Sequence, residues 1–241
     1  MTLDPITSIP RDARTMAAAL AEAGPDADVP VTPGWDLGRL VKHMGTVLAW
    51  GAETVEARPE SVDPRSLDLG VPEDRAAYGP WLIGFAERAA AVLSAVPAEA
   101  ECASWTDDRT VGFWARRLAN EIAVHRWDAE SVLGPPTPFE VDVAIDAIDE
   151  LLTIVGHRRD IETGGTGETL HLHATDGAGE WLITRGASGL TVVREHAKGD
   201  VAVRGAASDL LLVLMGRAEL DAVEVLGDAE VLIRWRETVR F

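Results

Sequence analysis

The sequence predicts an α+β protein: a four-helix bundle over residues 1–137 and a smaller α+β domain over residues 138–241. Three observations lead there. The first half contains four segments whose apolar residues recur at spacings of three and four. Gly134-Pro135-Pro136 then interrupts any helix and marks the best boundary in the chain. Beyond it, Leu170-His171-Leu172-His173 switches to the period of two expected of a strand.

Taken in order, Ser8 is expected to cap the first helix, which runs through Met16 and Leu20 to Gly24-Pro25. Asp36 caps the second, which continues to about Glu53 with a stripe of Leu40, His43, Val47 and Trp50. A loop rich in Pro and acid, Arg58 to Glu73, leads to a third helix with Pro80 in its first turn. Trp81, Phe85, Val92 and Val96 form its apolar face, and Pro97 ends it. The fourth helix runs from Trp114 to Val132. In the second half, Val141–Val155 reads as a helix. A hairpin turning at Asp176-Gly177 joins Leu170–His173 to Trp181–Ile183, and Thr191–Arg194 and Val201–Arg204 are further strands. Ser208 is expected to cap a helix through Leu214, and a last helix spans about Ala229–Val239.

Composition narrows the function. A net charge of −18 repels phosphate backbones and argues against nucleic acid as a partner, leaving small molecules. No run of about 18 apolar residues is present to span a membrane. Met1–Arg14 lacks the basic start and apolar run of a signal peptide, so a cytoplasmic location is expected. The lone Cys102 excludes an internal disulfide, and nothing beside it would activate a nucleophile.

The polar residues that interrupt apolar stripes carry the chemistry. The fourth helix places Trp114, Leu118, Glu121, His125, Asp128 and Val132 on one stripe, with polar groups in its middle. A buried carboxylate needs a cation or donors, and residues i and i+4 share a face. His43 interrupts the second helix in the same way. His43, Glu121 and His125 would make a three-ligand metal set with an open position, as in catalytic zinc sites. Each feature alone also fits a boundary histidine or a surface pair. His171 and His173 share a strand face too. That alternation reads as a sheet with one solvated face, with no same-face acidic or imidazole residue to complete a metal set.

Pro33-Gly34-Trp35-Asp36-x-x-x-Leu40-Val41-x-His43, together with Asn120-Glu121-x-x-x-His125-Arg126-Trp127-Asp128, resembles the mycothiol-dependent maleylpyruvate isomerase family. His173-Ala174-Thr175-Asp176-Gly177-x-Gly179-Glu180-Trp181 and Val203-Arg204-Gly205-x-Ala207-x-Asp209-Leu210-Leu211 resemble that family's C-terminal α+β domain, so the likeness covers nearly the whole chain. The resemblance implies a DinB-like metal-binding bundle in the first half. It also implies a divalent metal, zinc first, on His43, Glu121 and His125, and mycothiol as cosubstrate. The reaction it implies is cis–trans isomerisation of a small electrophile, or S-transfer to one.

The residues are consistent with that chemistry. A divalent ion held by one carboxylate keeps positive charge and favours thiolate over thiol. Addition of sulfur to an activated double bond, rotation about the resulting single bond and departure of sulfur would isomerise it. A persistent adduct would be S-transfer. Asp128 is placed to orient a ligand. Arg126 and Arg217 are the candidates for an anionic substrate, Arg217 favoured because it follows an apolar helix at a glycine. Two alternatives stay open: metal-dependent hydrolysis, and a non-catalytic protein binding metal or a small ligand.

Overall fold

Four long helices build the first half: α1 (Pro5–Ala23), α2 (Leu37–Ala57), α3 (Tyr78–Ser94) and α4 (Val111–Glu130). In this computed structural model, residues 4–157 and 164–239 are described. The chain divides into two units, Met1–Pro138 and Phe139–Phe241. Among the described residues no helix is long and apolar enough to cross a membrane.

Capping sets where the helices begin. The Asp36 carboxylate accepts from the Arg39 amide at 2.7 Å, and Thr110 Oγ1 accepts from the Phe113 amide at 3.2 Å. The start of α1 differs from expectation. Asp4 accepts from the Ile6 amide at 3.1 Å, Pro5 opens the helix, and Ser8 lies inside it, donating back to the Pro5 carbonyl at 2.8 Å. A carboxylate followed by Pro outcompetes a hydroxyl three residues later, because Pro presets the helical φ and needs no partner for its missing amide.

Around the bundle, α1 and α2 each pack against both α3 and α4. The core stripe of α2 is Leu37, Leu40, Met44, Leu48 and Val55, all fully buried. In α3 it is Leu82, Ala86, Ala89 and Leu93. Apart from Leu40, the stripes lie one position on from those the sequence suggested: Val47, Trp50, Trp81 and Phe85 flank the core, partly buried. The cause is close helix approach at small residues. A Cβ on Gly45 would run into the Trp81 ring, and one on Gly51 would meet Leu118. The flanking tryptophans instead fasten loops: Trp50 Nε1 donates to the Val62 carbonyl at 2.8 Å and Trp81 Nε1 to the Leu69 carbonyl at 2.9 Å. Cys102 is buried, with its thiol pKa raised by burial.

The second unit opens with α5 (Val141–His157). Five strands follow: β1 (Glu168–Ala174), β2 (Glu180–Gly186), β3 (Gly189–Val193), β4 (Val201–Gly205) and β5 (Glu224–Gly227). Helix α6 (Ala207–Leu214) lies between β4 and β5, and α7 (Ala229–Thr238) follows them. Strand order is β3-β2-β1-β4-β5, antiparallel except for β1 beside β4. The edge strand β5 escapes sequence detection because it is four residues long, with Leu226 exposed. Nor does Ser208 cap α6. Asp176 of the β1–β2 connection accepts from the Ala207 amide at 2.9 Å, while Ser208 Oγ accepts from the Phe139 amide at 3.1 Å.

Register puts Leu170, Leu172, Trp181, Ile183, Val201 and Val203 on one sheet face, all buried. His171, His173 and Glu180 share the other, with His173 directly opposite Glu180. This corrects the reading of that face as simply solvated, because His171 is only 5 % exposed.

Candidate functional site

Helices α2 and α4 bring His43, Glu121 and His125 together at the flank of the bundle. Their side chains are 33 %, 18 % and 12 % exposed, so the cluster is shielded yet open to a ligand from outside. Glu121 Oε1 lies 3.4 Å from His43 Nε2 and 3.5 Å from His125 Nε2. One ligand atom from each residue falls within 4.8 Å of the others. The two imidazoles meet edge to face, with centroids 5.0 Å apart.

The surroundings fix each donor. Asp128, fully buried one turn beyond His125, accepts from His125 Nδ1 at 2.8 Å. A carboxylate only accepts, so the proton sits on Nδ1 and the Nε2 lone pair faces the cluster. Glu121 is divided between two duties: Oε2 pairs with Arg117, one turn earlier, while Oε1 faces the imidazoles. The Trp35 ring lies edge-on to His43 at 5.3 Å, and the Arg39 guanidinium stacks over Trp35 at 4.4 Å. Burial first, then electrostatic interaction with His125 and with the Arg117 and Arg39 guanidiniums, pushes the His43 pKa down to about 4, against an opposing pull from Asp128. His43 is therefore neutral near pH 7, as a metal ligand must be.

These residues fit a divalent ion. Two donors bound tetrahedrally at ~2.1 Å from one ion lie ~3.4 Å apart. Both Glu121–imidazole separations match that edge. Three such donors would leave a fourth position on the ion.

Of the two arginines expected to hold an anion, Arg126 stands on α4 and Arg217 in the second unit. Arg126 is buried, pairs with Glu130 at 2.6 Å and donates to the Thr137 carbonyl at 2.7 Å, bracing the end of α4. Arg217 belongs to the second unit, on the turn after α6, where Gly216 adopts φ 71° and the Arg217 amide donates to the Leu212 carbonyl at 2.8 Å. Arg117 was not anticipated. Its i, i+4 spacing to Glu121 was the available signal.

A bundle flank bearing two imidazoles and a carboxylate, with a separate α+β unit, defines the class, and comparison with known proteins defines the family. The model described as the mycothiol maleylpyruvate isomerase N-terminal domain matches residues 7–130. The MDMPI C-terminal domain model matches residues 142–234. The chain belongs to the mycothiol-dependent maleylpyruvate isomerase family. Its fold is similar to a crystal structure of a mycothiol-dependent maleylpyruvate isomerase, with TM-score 0.60 and 16 % identity over 98 % of this chain and 95 % of that one. A histidine-to-alanine mutant of a mycothiol-dependent maleylpyruvate isomerase gives TM-score 0.57 at 15 % identity, with both chains covered in full. No curated protein matches significantly.

Proposed function

We propose that this protein is a metal- and mycothiol-dependent enzyme that isomerises, or transfers sulfur to, a small electrophile. The observation that carries the proposal is the shared Glu121 Oε1 at 3.4 and 3.5 Å from two imidazole Nε2 atoms. His43, Glu121 and His125 are the proposed ligands of one divalent ion, zinc first, and family membership supports mycothiol as the thiol.

A divalent ion at that cluster supplies positive charge that lowers the pKa of a thiol brought to it. The chain's own residues do the positioning. Asp128 holds the His125 ring so that Nε2 points into the cluster, and Arg117 holds Glu121 so that Oε1 does. The thiolate, its proton released to solvent, then forms a C–S bond to one carbon of an activated double bond, and the pair of π electrons moves onto the activating group. After rotation about the single bond, sulfur leaves with its electron pair and the double bond re-forms in the trans geometry. If the adduct is released after protonation at carbon, the outcome is S-transfer. Arg217 is the proposed partner for an anionic group of the substrate.

The test is to measure metal content, titrate mycothiol into the metal-loaded protein by calorimetry, and assay maleylpyruvate with and without the thiol. Mycothiol binding with thiol-dependent turnover is the expected result. Metal content with turnover independent of thiol would replace the proposal with hydrolysis, and metal without thiol affinity would replace it with a binding protein.

A further inference from the structure

Of the six histidines, two lie in the bundle cluster, and three others converge on one carboxylate in the second unit. His171 and His173 project from the same face of β1, Glu180 from β2 opposite His173, and His196 from the segment joining β3 to β4. Glu180 Oε1 accepts from His173 Nδ1 and, at 2.7 Å, from His196 Nδ1. His171 Nε2 lies 4.0 Å from the same oxygen. The His171 and His196 rings meet edge to face at 5.4 Å. Ligand atoms of His171, Glu180 and His196 all fall within 4.8 Å of one another.

Hydrogen bonding within the cluster does not account for it. Two imidazole N–H groups already occupy Glu180 Oε1, yet His171 Nε2, on a side chain only 6 % exposed, has no hydrogen-bond partner. An unmade bond at a buried polar atom costs free energy, and the atom is aimed at the convergence point of two further imidazoles and a carboxylate. A cation there would take up the orphaned lone pair together with the donors around it. Imidazole-rich sets with one carboxylate select zinc and its borderline neighbours over magnesium or calcium, which prefer oxygen.

We propose that His171, Glu180 and His196 form a second divalent transition-metal site, zinc-class, with His173 beside it as a further donor. The site is separate in residues from the bundle cluster and does not depend on the function proposed for that cluster. Two ligand-bearing strands, β1 and β2, are hydrogen-bonded neighbours and already rigid. His196 is the exposed donor: its side chain is 77 % exposed and lies outside any strand, so its ring has room to turn toward an ion. Ion binding therefore fastens the segment between β3 and β4 to the sheet. This segment, through Arg194 and Glu195, also borders an open cleft of about 450 Å³ with His173, Gly177, Ala178 and Glu180. Metal occupancy would fix that wall of the cleft.

The experiment uses the full-length protein, stripped with chelator and titrated with zinc by calorimetry, with cobalt as a spectroscopic probe. His196→Ala removes an exposed ligand and leaves the sheet intact; Glu180→Gln removes the central acceptor charge. Circular dichroism checks that each variant folds. His196→Ala is expected to lose one equivalent of zinc, or to weaken its binding more than about 100-fold, since even outer partners of a metal site are worth 10–100-fold. His125→Ala is expected to retain that equivalent. If the bundle cluster binds no metal, wild type takes one equivalent rather than two, and His196→Ala still removes it. Unchanged zinc stoichiometry and affinity in both His196→Ala and Glu180→Gln would overturn the second site, as would a cobalt spectrum insensitive to His196→Ala.

Discussion

Asp128 Oδ2 stands 2.8 Å from His125 Nδ1, on a carboxylate with no solvent exposure. A buried charge is costly unless paired, and in the last turn of α4 this one is paired with the imidazole. It fixes the tautomer and the ring orientation, leaving the Nε2 lone pair toward the cluster. Asp128→Asn keeps the volume and removes the charge. Zinc affinity at the bundle cluster is expected to fall about 10–100-fold. Calorimetric titration of the variant in a His196→Ala background reads this bundle-cluster affinity alone, and an unchanged affinity would remove Asp128 from the site.

Removing the ion should destabilise the bundle. A ligand that binds only the folded state stabilises it by about 4 kcal/mol when its free concentration is a thousand times its dissociation constant. Chelation is therefore expected to lower the melting temperature, and His125→Ala should abolish both metal content and the chelator effect in the His196→Ala background. Glu121→Gln should bind metal more weakly, and its melting temperature should respond less to chelation. Identical melting curves with and without chelator would count against metal binding by the bundle.

The sequence made the site more legible than the core around it. Glu121, His125 and Asp128 announce themselves as polar groups on an otherwise apolar stripe led by Trp114 and Leu118, and helix phase alone groups them. The α2 and α3 stripes came out one residue off because both helices are rich in Ala and Gly. Where a small residue marks the close approach, as Gly45 does under Trp81, side-chain size no longer reports the buried face. The sheet cluster was hidden for a different reason. Glu180 and His196 reach His171 only through strand register and a loop, which spacing along the chain does not encode. The cap on α6 is the same case, supplied by Asp176 from 31 residues away.

Gly45 gives a test of that packing. Replacing a helical Gly by Ala ordinarily gains about 1 kcal/mol in propensity. Here the added methyl meets the Trp81 ring, whose indole is tied to the Leu69 carbonyl at 2.9 Å and cannot simply swing away. Overpacking typically costs about 1–3 kcal/mol, so Gly45→Ala is expected to be net destabilising. Urea denaturation of the variant measures the sign, and a gain in stability would mean that the indole yields.

Cys102 should be inert in the native protein. The thiol is 1 % exposed, its Sγ lies 3.7 Å from the Thr54 carbonyl, and burial raises its pKa, so the thiolate fraction is reduced at every pH below the raised value. A thiol reagent such as iodoacetamide is expected to label it only as fast as the protein opens, with labelling accelerating in denaturant. Cys102→Ser should leave turnover unchanged, which separates this thiol from the cosubstrate thiol. Loss of turnover in a folded Cys102→Ser protein would contradict that assignment.

Arg217 is the remaining residue with a proposed role toward substrate. Arg126, the other arginine considered for it, has its guanidinium engaged by Glu130 and the Thr137 carbonyl. Arg217 follows the glycine turn that closes α6, where its backbone amide donates to the Leu212 carbonyl. A charge-assisted hydrogen bond to a carboxylate is worth about 1.5–3 kcal/mol, so Arg217→Ala is expected to lower kcat/KM roughly 10–100-fold. The loss should appear mainly in KM if the contact is equal in ground and transition states. Arg217→Lys restores the charge without the planar fork and should recover part of the loss. Zinc content and mycothiol affinity should stay at wild-type values in both variants. A folded Arg217→Ala protein with unchanged kcat/KM would leave the anionic end of the substrate to another residue, and Arg117 beside Glu121 would be the next to test.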